Sequence, residues 1–133
     1  MKMNELDFEG AQPPIDGYAP DGFRIAGKFL EGALLIGPKG PRGWSASALS
    51  AAAAPPLKAM KGEIDVLLVG LGVDLIEVPA EFRAALAAVE TDPAGFGIDY
   101  MASPAACRTY NVLLSEGRRV GAALLPTGFG EKS

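Results

Sequence analysis

The stretch Ile64-Asp65-Val66-Leu67-Leu68-Val69-Gly70-Leu71-Gly72 decides the fold. A near-continuous apolar run of this length, closed by glycines, is the signature of a strand covered on both faces. Pro79 follows at a position where a missing N–H costs a helix nothing. Phe82, Leu86 and Val89 then recur at helical spacing as a core stripe. Gly95 and Gly97 end that connection, and Ile98 to Met101 is short enough for a strand. Ser103-Pro104 is a second helix start, with serine as cap and proline as first helical residue, and Gly117 is its left-handed terminator. Arg119 to Leu125 reads as the last strand. The order β-α-β-α-β predicts a layered α/β domain with largely parallel strands.

Upstream the text is different. Gly and Pro punctuate it at Pro13-Pro14, Asp16-Gly17, Asp21-Gly22, Gly27, Gly32 and Gly37 to Pro41, which marks turns between short strands. Phe23–Ala26 and Ala33–Ile36 are the strand candidates, with Lys28 to Gly32 as a connection or a continuing bulged strand, and a third strand includes Trp44. The expectation is one domain over residues 21–127, with an antiparallel β N-terminal half joined to a central mixed sheet. Residues 1–20 are read as a flexible arm and 128–133 as a frayed tail. Between the halves, Ser45 to Pro56 is alanine-rich: either a short helix capped by Ser45 or Ser47 and ended by Pro55-Pro56, or a close-packed loop.

Composition excludes more chemistry than it suggests. The 133 residues carry no histidine and one cysteine, Cys107, so Ser–His and Cys–His nucleophile pairs lack their base. An internal disulfide and a four-ligand Cys/His zinc site are likewise excluded; a carboxylate-bound magnesium or a lysine-based mechanism stays open in principle, though no metal or cofactor is expected. The net charge is −4, and the twelve basic residues are scattered, with Arg118-Arg119 the only adjacent pair. That pattern argues against nucleic acid as a partner. The longest apolar run is about eight residues against the ~20 a membrane helix requires, so no membrane insertion is expected. The acidic, non-apolar start is no secretory signal. A cytoplasmic protein, monomeric or weakly homodimeric, is the expectation.

Several residues invite a functional reading. Gly70-Leu71-Gly72 matches two glycines of a dinucleotide fingerprint, but Leu75 stands where the third belongs, so a tight structural turn is the alternative. The Ser103 helix start could hold an anion or simply be capped by its own hydroxyl. Gly70, Gly72, Asp74, Ser103 and Arg118 are the candidate binding surface, a crevice at the C-terminal strand ends. Cys107 is a candidate thiol near a helix start, or a buried inert side chain. Asn111 shares a helix face with Cys107 and Leu114, and a buried amide there would pin the adjoining segment.

Read together, Leu67 to Gly72, Ala105-Ala106-Cys107-Arg108-Thr109-Tyr110-Asn111-Val112-Leu113, Glu116-Gly117-Arg118-Arg119-Val120 and the Gly43-Trp44 turn resemble a small α/β domain family. That family includes mitochondrial complex I assembly factor 3 and the adipogenesis-associated domain protein. The likeness covers Phe23 to Pro126; Ser103 departs from it where threonine is favoured, which keeps a hydroxyl. It implies a central mixed sheet with two helices, and a non-catalytic protein-interaction domain assisting assembly of a respiratory or membrane-associated complex. The alternative is a small-molecule or anion-binding domain, possibly enzymatic, using the crevice.

Overall fold

The computed structural model describes residues 12–46, 49–73 and 77–128. Strands β1 (Gly17–Ala19), β2 (Gly22–Ile25) and β3 (Lys28–Glu31) form an antiparallel three-stranded sheet. The remaining elements are β4 (Leu34–Gly37), β5 (Gly40–Gly43), α1 (Pro55–Lys58), β6 (Val66–Leu71), α2 (Ala80–Thr91), β7 (Gly97–Met101), α3 (Ser103–Ser115) and β8 (Val120–Leu125). Five of these strands make a mixed sheet in the order β5-β4-β8-β6-β7. β6 runs parallel to β7 and β8, and β4 pairs antiparallel with β5 and β8. The expected β-α-β-α-β half and the antiparallel N-terminal half are both present.

The period of two along β6 divides the molecule into layers. Leu67, Val69 and Leu71 join Trp44, Phe82, Leu86 and Val89 in one core, under α2. Leu68 points the other way, into a second core with Phe23, Ile25, Tyr110 and Leu124. This explains the unbroken apolar run: neither face of the strand meets water. The stripe of α2 is buried at Phe82, Leu86 and Val89, as its spacing predicts.

Four local expectations are corrected. Pro55-Pro56 begins a helix rather than ending one, because proline is tolerated in the first turn, where the N–H has no intrahelical partner. Ser45 is exposed and caps no described helix, and a 3-10 turn over Ala51–Ala53 precedes α1; Ser47 lies outside the described residues. Trp44 follows β5 instead of lying in it, and its buried indole N–H donates to the Ala53 carbonyl at 3.0 Å. The chain is also packed well before residue 21. Ile15 is buried in the second core and β1 is already in the sheet, so residues 12–20 belong to the domain rather than to an arm. The polar punctuation hid this, since a single buried isoleucine between prolines and glycines leaves no periodic signal.

Candidate functional site

At the C-terminal end of β6 the chain must turn sharply, and Gly72 does so at φ +94°, a conformation that favours glycine. Its N–H donates to Ser103 Oγ at 2.9 Å, and the Ser103 N–H donates to the Gly72 carbonyl at 2.7 Å. The Ser103 hydroxyl in turn donates to the carbonyl of Leu125 at the end of β8. Ser103 is completely buried. A Cβ on Gly70 would stand 2.7 Å from Ser103 Oγ and 3.0 Å from Ser103 Cα. The glycines therefore allow the first turn of α3 to sit directly on β6, and the serine knits β6, α3 and β8 together.

Between the glycine turn and the helix start, the space is filled by the serine itself. Ser103 is the first helical residue, with Ala102 as N-cap, and its hydroxyl leaves its own helix to bond two strand ends. Asp74 lies outside the described residues. Arg118 is exposed but at the other end of the sheet: α3 runs back from the end of β7 to the start of β8, and its 13 residues span ~20 Å. The backbone of Arg118 closes that helix, its N–H donating to the Leu113 carbonyl at 3.0 Å while Gly117, at φ +78°, donates to Leu114.

Cys107 is buried on the inner face of α3, and burial pushes its thiol up to about 11, against a weaker opposing pull from Arg108. A thiol held protonated and covered is a packing residue, not a nucleophile. Asn111 clasps the segment before β1: its Oδ1 accepts the Ile15 N–H and its Nδ2 donates to the Ile15 carbonyl, both at 2.8 Å. Tyr110 adds to the clasp by donating to the Pro13 carbonyl at 2.8 Å. Gln12 reaches the same tyrosine hydroxyl and the Val120 carbonyl. The amide stands out in the sequence; Gln12 and Tyr110 do not, because their contacts cross 97 to 108 residues.

A groove lies elsewhere, beside β7. It measures about 640 Å³ and is lined by Glu77, Val78, Arg83, Ile98, Asp99 and Tyr100 among others. The Arg83 guanidinium sits 4.4 Å from the centre of the Tyr100 ring, a cation–π contact. The Tyr100 hydroxyl is buried and has no hydrogen-bond partner among the described residues. Burial pushes this phenol up; Arg83 pulls it down and Glu90 pushes it further up. Of the groove residues, Ile98, Asp99 and Tyr100 stand out in the sequence only as part of a short strand. Among the described residues no group of three or more acidic, cysteine or histidine side chains gathers around a metal-sized space. No described helix is long and apolar enough to cross a membrane.

Residues 15–125 match the family described as protein of unknown function (DUF498/DUF598). An uncharacterised protein of Rhodobacter capsulatus is 44% identical over 126 residues, covering 95% of this chain and 94% of that protein. The zebrafish (Danio rerio) NADH dehydrogenase [ubiquinone] 1 alpha subcomplex assembly factor 3 is 29% identical over 121 residues, 89% of this chain and 67% of that protein. Among solved structures, an outer membrane protein from Bartonella henselae superposes with a TM-score of 0.75 at 33% identity, covering 88% of this chain and 97% of that one.

Proposed function

The chain belongs to the DUF498/DUF598 family, and from that membership we propose that it is a non-catalytic protein-interaction domain that assists assembly of a respiratory or membrane-associated complex from the cytoplasmic side. The observation that carries this reading is the similarity to the mitochondrial assembly factor, which extends over 89% of the chain rather than over a single motif. The interior supports it. Three of the polar groups conspicuous in the sequence are spent inside the fold: Ser103 on strand ends, Asn111 on Ile15, and Cys107 on packing. What remains for a partner is the surface, because one fold hosts many functions and the chemistry must come from exposed groups.

Removing the gene from its host and separating membrane complexes on a native gel tests the reading. The expected outcome is a loss of one mature respiratory or other membrane complex with accumulation of a subcomplex, restored by the wild-type chain. Unchanged complexes under respiratory growth would refute it.

A further inference from the structure

The five-stranded sheet has two edges, and they are not alike. β5 is Gly40-Pro41-Arg42-Gly43, and its proline lacks an N–H, one of the ordinary ways to blunt an edge. β7, at the other edge, is Gly97-Ile98-Asp99-Tyr100-Met101, with no proline, no lysine and two strong strand formers. Gly97 donates its N–H to the Asp65 carbonyl, and β7 stays in regular parallel register with β6. Successive residues turn their backbone groups to opposite sides of a strand. The N–H and C=O of Ile98 and Tyr100 therefore face away from β6, out of the sheet, and no described backbone group bonds them.

The groove lies along this edge. Ile98, Asp99 and Tyr100 all line it. Side chains of consecutive strand residues alternate between faces, so three in a row border one groove only if it follows the strand's backbone. Its charged lining residues are Glu77, Asp99 and Arg83, the last with its guanidinium over the Tyr100 ring.

We propose that the β7 edge, with the groove beside it, is a docking site for an extended, basic peptide segment of a partner protein, which adds as a sixth strand. The inference rests on the interaction reading above and gives it a surface. Backbone groups of Ile98 and Tyr100 supply the ladder, and alternate side chains supply selectivity. A lysine or arginine opposite Asp99 meets a carboxylate, while its apolar neighbours lie toward Val78, Ile98 and Tyr100. A second copy of this chain fits less well. Antiparallel self-pairing with full overlap puts the twofold axis through Asp99, setting that carboxylate against itself in the closely spaced pair.

The test uses the full chain, isotope-labelled for NMR, and two probes about ten residues long that alternate valine with lysine or valine with glutamate. The expected result is slowed amide exchange at Ile98 and Tyr100, roughly tenfold or more, with the lysine peptide at about 1 mM and not with the glutamate peptide. Asp99→Lys should reverse the preference and Asp99→Asn should erase it; the exposed side chain makes both compatible with folding. Three results would overturn the proposal: no added protection at Ile98 and Tyr100, equal binding of both peptides, or protection without peptide in a dimer. The readout is independent of the host. A null result leaves the assembly role standing, and intact membrane complexes in the deletion strain would leave peptide binding standing.

Discussion

Replacing Asn111 by alanine isolates one device, the amide that ties the segment before β1 to α3. The substitution deletes both 2.8 Å bonds to Ile15 and leaves that residue's N–H and C=O without their partners. At about 1 kcal/mol net per bond the loss is ~2 kcal/mol. If the segment then lifts and Ile15, only 4% exposed, meets water, up to roughly 2 kcal/mol more is lost. Unfolding entropy of ~2.1 cal/mol/K per residue over 133 residues is about 0.28 kcal/mol/K, so 2 kcal/mol lowers Tm by about 7 °C. Urea denaturation gives the free energy, and amide exchange at Ile15 locates it. Val112→Ala, one residue along and 54% exposed, is the control and should change stability by less than ~0.5 kcal/mol. A loss under ~0.5 kcal/mol for Asn111→Ala, or an Ile15 amide as protected as before, would refute the clasp.

Ser103→Ala should cost ~2–3 kcal/mol by urea unfolding, because it strands the buried Gly72 N–H and the Leu125 carbonyl together. Gly70→Ala should cost at least as much, since its new methyl would meet Ser103 Cα at 3.0 Å and Leu124 Cδ2 at 2.7 Å in a close-packed core. The Cys107 thiol is raised to about 11, so the folded state holds its proton more tightly than the unfolded chain. Its contribution is complete below the ordinary thiol range near pH 8.5 and is lost as pH climbs through about 11. A Cys107→Ala variant should therefore lose less stability across that alkaline window. A thiol reagent at neutral pH should modify the native wild type far more slowly than the urea-unfolded chain; equal rates would contradict the burial.

Much of this architecture was legible because it rests on periodicity. The apolar run ending at Gly72, the Phe82–Leu86–Val89 stripe and the Gly117 terminator each follow from local geometry, and each is observed. The candidate surface was not legible, for a definite reason. Gly70, Gly72 and Ser103 carry the residue types of a ligand turn, yet those types equally suit a close helix–strand approach, and only the third dimension separates the two. Arg118 joined the candidate surface without any constraint from the direction of α3, which sends it to the far end of the sheet. The groove, conversely, is assembled from Glu77, Arg83 and Asp99, residues unremarkable in sequence that become neighbours because α2 crosses over to the edge strand. The pinning role of Asn111 was legible, but its partner Ile15 was not, because the two lie 96 residues apart.

The central claim is that this domain works by holding another protein. It is met most directly by tagging the chain at its C-terminus in its own host and quantifying what copurifies after mild crosslinking. Enrichment of subunits of one membrane complex, with crosslinks on β7 and α2, is the predicted result. Copurification with soluble metabolic enzymes alone, and with no complex subunit, would contradict it.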